Sequence, residues 1–248
     1  MYHRSFLIEY FAVSYKRVLL KISGEQLAGK YDSGFDNEHA VWLAREVKKV
    51  ADKGQQVVIM VGGGNIVRGA QIAGSGIQRV TADNMGMLAT MINALALTDV
   101  FENEGVKTRC LSNIFAEQVA EKFIHRLANK HLQKGRVVIL AGGLGRPYVT
   151  TDTAAVNLAL ELDCDIVLKA TKVDGVYDKD PEKNPDAKKF DNLSFQEAVS
   201  APSIQVMDKS ALAMAMEHKI SILIFDALKQ GNIELAINGG SVGTRIGK

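Results

Sequence analysis

The sequence predicts an α/β fold, a three-layer α/β/α sandwich around a mostly parallel central sheet. Three observations predict it. Short runs rich in Val, Ile and Leu alternate with segments of helical spacing, the pattern of strand–helix–strand units whose helices cover both faces of a parallel sheet. Two of the strands run straight into glycine clusters, Gly62-Gly63-Gly64-Asn65 and Ala141-Gly142-Gly143-Leu144-Gly145-Arg146-Pro147. The chain has 248 residues, 47% of them hydrophobic, enough for one large α/β domain or two small ones.

Each element follows in order. Arg17-Val18-Leu19-Leu20-Lys21-Ile22 reads as a buried strand that carries a lysine inside its apolar run. A glycine-punctuated loop is expected over 23–36. Residues 37–53 place Val41, Leu43, Ala44, Val47 and Val50 at helical spacing, and Gly54 follows as a stop. Residues 56–61 form the second strand, ahead of the first glycine cluster. Residues 83–103 read as a long, mostly buried helix, because Met85, Met87, Leu88, Met91, Ile92, Leu95 and Leu97 leave little polar face. The methionines there read as core filler. A short strand is expected over 107–111, a helix over 116–133, and a strand over 136–140 that feeds the second glycine cluster. Thr150-Thr151-Asp152 caps a helix running to about Leu162. A strand over 166–170 leads into a turn-rich segment, 173–181, and residues 174–192 suit either a mobile loop or a solvated turn. A helix over 208–218, a strand over 220–225 and a helix near 228–237 complete the chain. Residues 1–14 read as a flexible extension or an interface arm; Glu9 breaks their apolar stretch, which argues against a secretory signal.

Composition excludes several classes. A net charge of +2 gives no strongly basic surface for nucleic acid. No apolar run is expected to reach the ~18–20 residues of a membrane span. Cys110 and Cys164, without a C-x-x-C pair, read as buried thiols of a cytoplasmic protein. Gly24 to Lys30 has P-loop spacing, but Tyr31 stands where a magnesium-binding hydroxyl is needed. A dinucleotide fingerprint fails because Val67 occupies the place of its third glycine. Zinc, calcium and serine-hydrolase patterns are missing too.

The glycine clusters carry the positive signal. Without Cβ atoms, their backbone N–H groups can converge on phosphate oxygens, and a following helix adds its positive N-terminal end. Two such loops, each with an arginine close behind (Arg68, Arg146), point to two phosphate-bearing ligands or to a donor and an acceptor.

The residues then resemble a known family. Lys21-Ile22-Ser23-Gly24-Glu25, the Gly62-Gly63-Gly64-Asn65 loop with Arg68-Gly69, Ala82-Asp83-Asn84-Met85-Gly86-Met87-Leu88-Ala89-Thr90, Thr150-Thr151-Asp152, and Lys169-Ala170-Thr171-Lys172-Val173-Asp174-Gly175-Val176-Tyr177 with Asp180-Pro181 look like the bacterial UMP kinases of the amino-acid kinase superfold. The match runs from about residue 16 to 246. Resemblance implies ATP-dependent phosphorylation of UMP, Mg²⁺ brought mainly by the nucleotide phosphates, a homohexamer, and UTP or GTP as effectors. It also implies one domain over 15–248, with an acceptor part roughly 15–165 and an ATP part roughly 166–248.

The chemistry of that reaction suits these residues. A phosphate monoester is already ionised at neutral pH, so transfer to it needs no general base, only positioning and neutralisation of two polyanions. Lys21, at a strand's carboxyl end, and Lys169 are the expected cations at the moving phosphoryl group. Asp152 is expected to orient the lysines, and Asp208 either to hold one of them or to cap a helix. Gly63 and Gly64 would cradle acceptor and donor phosphates, with Arg68 as a charged fork. Asp83 would accept the UMP ribose hydroxyls, cap its helix, or do both. By resemblance, Leu144, Gly145, Arg146, Pro147, Tyr148, Val149, Thr150 and Thr151 complete the UMP pocket, while Ile22, Ser23, Gly24, Thr171, Tyr177 and Asp180 contact ATP.

Two segments depart from the family's pattern. The family usually reads G-T-G-N-P where this chain has Gly143-Leu144-Gly145-Arg146-Pro147, and near G-F-G-I-D where it has Gly29-Lys30-Tyr31-Asp32-Ser33-Gly34-Phe35-Asp36. The choice between UMP and CMP and the effector response therefore stay open. Acetylglutamate, aspartate and carbamate kinases, and a metal-oxyanion storage protein, share the superfold and are the alternatives.

Overall fold

A computed structural model describes residues 14–67, 76–181, 183–200 and 207–247. Arg68, and all but Ser14 of the extension expected over 1–14, lie outside the described residues. The chain begins its sheet with β1 (Arg17–Ile22), then α1 (Gly24–Leu27), α2 (Asn37–Ala51), β2 (Gln56–Val61) and α3 (Arg79–Asn103). Next come β3 (Thr108–Ser112), β4 (Glu121–Lys122), α4 (His125–Gln133), β5 (Val137–Ala141), α5 (Thr151–Glu161) and β6 (Ile166–Thr171). The last third holds β7 (Val176–Tyr177), β8 (Lys189–Phe190), β9 (Asn192–Leu193), α6 (Phe195–Ser200), α7 (Lys209–His218), β10 (Ile222–Asp226), α8 (Asn232–Ile237) and β11 (Thr244–Ile246).

Nine strands join in the order β4-β3-β5-β2-β1-β6-β10-β11-β9, and only the β10–β11 pairing is antiparallel. β1 sits between β2 and β6 and is buried along nearly all its length. Side chains alternate across a strand, so β1 feeds two cores. Val18, Leu20 and Ile22 pack with α2, α3 and α8 on one face; Leu19 packs with α4, α5 and α7 on the other. Helices on both faces make the three-layer sandwich that the alternating pattern predicts.

Several expectations need correction. Residues 116–133 are not one helix. Leu111 and Ser112 pair with Glu121 and Lys122, and the Phe123 N–H donates to the Ser112 carbonyl at 2.8 Å. The first half thus spends its backbone on the sheet edge, and Ala128, His131 and Leu132 form the inward face of the short helix that remains. The long helix starts at Arg79, with Gln78 as its N-cap, so Asp83 lies in its second turn and caps nothing. It is also less buried than its composition suggests: Leu88 and Ile92 are each 52% exposed. Moreover, α3 is long and apolar enough to cross a membrane by length and composition, contrary to the sequence expectation. Its inward side packs as a core helix. The C-terminal helix is shorter than expected, starting after Gly231 at φ 84°. The loop over 23–36 contains α1, and β11 has only three residues, too few to leave a period in the sequence.

Candidate active site

Because β1, β2, β5 and β6 are parallel neighbours, their carboxyl ends share one edge of the sheet, the edge where open α/β sheets bind ligands. There Lys21 and Lys169 are register partners on adjacent strands. Both reach Asp152, in the first turn of α5: Lys21 Nζ lies 2.7 Å from Oδ1, and Lys169 Nζ donates to Oδ2 at 2.6 Å. All three side chains are at most 14% exposed. Burial pushes the Asp152 carboxyl up, but the two ammonium groups outweigh it and hold the group below its ordinary value. Burial pulls Lys169 down, the Asp152 charge opposes that, and Lys21 adds to it. The result is two cations beside one anion, a net positive charge kept from water.

A local network fixes the start of α5. Thr150 is its N-cap, accepting from the N–H groups of Asp152 and Thr153 at 3.1 and 3.2 Å. Asp208 caps α7, accepting from the Ala211 N–H at 2.7 Å, from Thr153 Oγ1 at 2.8 Å, and from Thr150 Oγ1. Asp208 therefore does what the capping alternative expected. Toward Lys169 it acts as a nearby negative charge that partly restores the lysine's proton affinity.

The first glycine loop is wedged between β1 and α3. A Cβ on Gly63 would come within 2.8 Å of the Gly86 carbonyl and 3.0 Å of the Thr90 N–H, so no other residue fits without moving the helix. Beyond it, Gly64 faces open space. Asn65 and Asn93, both buried, exchange side-chain amide hydrogen bonds of 2.9 and 2.7 Å; Asn93 also donates to the Gly62 carbonyl at 2.7 Å, and Asn65 to that of Gly34. With them, the Gly62 N–H donates to the Ile22 carbonyl at 2.8 Å and ties the loop to β1.

The second glycine loop faces the first across α3. Thr90 Oγ1 accepts from the Gly142 N–H at 2.7 Å, and Asn113 Nδ2 donates to the Gly143 carbonyl at 2.6 Å. Gly142, Gly143, Gly145 and Tyr148 all have positive φ, which folds the loop back on itself. Between the loops lies a cavity of ≈ 230 Å³ bordered by Gly63, Gly64, Asp83, Gly143, Arg146, Val149, Thr150 and Thr151. Leu144 instead packs against the core on the α5 face, and Tyr148 is 67% exposed. Asp83 accepts from Arg79 Nε and from the Tyr148 N–H. Burial pushes its carboxyl up, but these donors hold it below the usual carboxylate value.

At the carboxyl end of β1, a Cβ on Gly24 would meet the Gly64 N–H, and Ser23 caps α1 through a reciprocal bond with Gln26. Thr171 spends its hydroxyl on the carbonyls of Val173 and Phe225, at 2.7 and 3.0 Å. Tyr177 donates to Asp174 at 2.5 Å, and Asp180 pairs with Lys183 at 3.2 Å. Sequence reading missed Arg79, Thr90, Asn93 and Asn113. Thr90 and Asn93, polar and three apart within the apolar run from Met85 to Leu97, were the available signal. Arg79 stands four residues before Asp83, an i, i+4 pairing readable from sequence, whereas Asn113 acts on Gly143, 30 residues away, and leaves no signal.

Comparison with known proteins adds to this geometry. A family model described as the amino acid kinase family matches residues 16–226. The solved UMP kinase from Bacillus anthracis is 38% identical, with a TM-score of 0.90, over 94% of this chain and 96% of that one. The UMP kinase from Ureaplasma parvum is 35% identical, with a TM-score of 0.87, over 94% and 99%. The uridylate kinase from Archaeoglobus fulgidus is 28% identical, with a TM-score of 0.70, over 92% and 99%.

Proposed function

The chain belongs to the amino acid kinase family, and from that premise we propose that it transfers the γ-phosphoryl group of ATP to UMP, giving UDP and ADP. One observation carries the reading: the Lys21–Asp152–Lys169 cluster and a cavity bounded by both glycine loops meet at one sheet edge.

In this reading the cavity holds UMP. Gly63, Thr150 and Thr151 hold its phosphate, Asp83 its ribose, and the loop 144–149 its base. ATP lies along the carboxyl ends of β1 and β6, with its phosphates at Lys21, Ile22, Ser23, Gly24, Gly64 and Arg68 and its nucleoside at Thr171, Tyr177 and Asp180. The UMP phosphate oxygen attacks the γ-phosphorus, the bond to the β,γ-bridging oxygen breaks, and ADP leaves with that electron pair. Lys21 and Lys169 stabilise charge spread over the moving group, where fixed cations in a dry site act more strongly than in water. Asp152 aims both ammonium groups and takes no proton.

The acids nearest the lysines, Asp152 and Asp208, are engaged by protein donors. Mg²⁺ is therefore assigned to the nucleotide phosphates, where it supplies further charge neutralisation when bound. The acceptor part is roughly 15–165 and the ATP part roughly 166–248. A cytoplasmic homohexamer, with UTP or GTP as effectors, follows from the family reading; the exposed Leu88 and Ile92 on α3 suit burial between subunits.

The test is ADP release from ATP with UMP, CMP, N-acetylglutamate, aspartate and carbamate offered in turn. UMP should exceed every carboxylate or carbamate acceptor by at least about a hundredfold in kcat/KM. Turnover with one of those instead, or with none, would reject the reading.

A further inference from the structure

Asp83 is held from behind by a clamp. Arg79, one turn earlier on α3, shares its Nε–H between both carboxylate oxygens, at 2.8 and 2.9 Å. Its guanidinium carbon lies 5.1 Å from the centre of the Tyr148 ring. The Tyr148 N–H donates to Asp83 Oδ2 at 2.8 Å. Carboxylate, guanidinium and aromatic ring thus close a loop that joins α3 to the segment after β5, 65 residues away. Asp83 borders the cavity and its side chain is 21% exposed; Arg79 does not border it and is 53% exposed.

An exposed ion pair one helical turn apart ordinarily contributes little. Three features set this one apart. The acceptor torsion of an aspartate is broad and two-fold, so an unclamped carboxylate samples many planes. Three donor contacts from one side fix that plane and leave the remaining lone pairs to the cavity. Tyr148, with φ 65°, holds a backbone conformation unfavourable for a tyrosine, and the clamp is what its N–H and ring engage.

Resting on the reading that Asp83 receives the UMP ribose, we propose that Arg79 is a positioning residue. With Tyr148 it orients the Asp83 carboxylate, so the acceptor site selects a ribonucleotide over its 2′-deoxy counterpart. Lysine cannot replace it, having no planar face to stack on the ring.

The experiment measures kcat and KM for UMP, dUMP and ATP in wild type, Arg79→Gln, Arg79→Lys, Tyr148→Ala and the Arg79→Gln/Tyr148→Ala double variant. Wild type should prefer UMP over dUMP. Both single losses should raise the KM for UMP about tenfold and cut the UMP:dUMP ratio of kcat/KM about tenfold, with the KM for ATP little changed. Arg79→Lys should not rescue, and the double variant should be no worse than either single one, because each already opens the clamp. An unchanged UMP:dUMP ratio in Arg79→Gln overturns the proposal. So do parallel rises in the KM for ATP and UMP, which would make the clamp merely structural. A wild type inactive on UMP but active on another acceptor sinks the underlying reading, and this inference with it.

Discussion

At the scale of single residues, the decisive contacts converge on Asp152. Lys21→Met removes one of two buried ammonium groups at the proposed transfer site. Loss of charge stabilisation of ~3–4 kcal/mol should lower kcat by about two to three powers of ten, with the circular dichroism spectrum preserved. Activity within about threefold of wild type would take Lys21 out of the mechanism. Asp152→Asn leaves two buried cations facing each other and should cost about 3–5 kcal/mol of stability at neutral pH. Its pH dependence follows from the depressed carboxyl. Asp152 stabilises the fold fully above its ordinary 3.8, and that contribution is lost as pH falls through the lower folded value. The Tm gap between wild type and Asp152→Asn should therefore shrink on acidification below about pH 4; a constant gap would mean the charge is not what matters. Lys21 was legible in the sequence because a lysine inside an apolar strand needs a reason. Asp152 was legible only through family likeness, since the lysines that give it meaning lie 131 residues before and 17 after it, 152 − 21 and 169 − 152.

At the scale of elements, α3 is the common wall of both glycine loops. Its two faces make different predictions. On the inner face, Gly63→Ala drives a methyl group against the backbone of Gly86 and Thr90. Overpacking of this kind costs about 1–3 kcal/mol, and here it should also displace the loop, lowering both Tm and turnover. A variant of normal stability and rate would show that the helix yields freely. On the outer face, Leu88→Glu/Ile92→Glu should lower the molecular mass measured by light scattering if these residues are buried between subunits. The second loop separates similarly. Leu144 packs against the core while Arg146 borders the cavity. Arg146→Asn should therefore change the UMP:CMP ratio of kcat/KM, and Leu144→Thr mainly the Tm. Equal ratios in wild type and Arg146→Asn would leave base choice to the backbone of the loop. Helical spacing revealed α2, a nearly continuous apolar composition α3, and the Thr150-Thr151-Asp152 cap α5. That reading failed over 116–133, where the same kinds of residues serve an edge strand, a turn and a short helix in succession.

At the scale of the whole molecule, the fold buries both thiols, Cys110 on β3 and Cys164 in the turn before β6. Burial raises Cys110 to about 11 and Cys164 to about 12, so neither forms thiolate at neutral pH in the native state. A thiol reagent should titrate close to zero groups in the folded protein and two after denaturation; rapid native labelling would mean the strands open locally. The strands themselves were readable as apolar runs. Their order was not, because β1 pairs with β2 close by in sequence on one side and with β6, far along the chain, on the other. That arrangement governs how the protein is made. Lys21 is translated early, yet its strand keeps one bare edge until the segment carrying Lys169 leaves the ribosome, about 150 residues later. Contacts so far apart form slowly, and an unpaired edge invites pairing with other chains. A nascent chain stopped before β6 is therefore not half an enzyme. It is an open sheet whose Lys21-bearing strand lacks one partner, a natural client for whatever guards unfinished proteins.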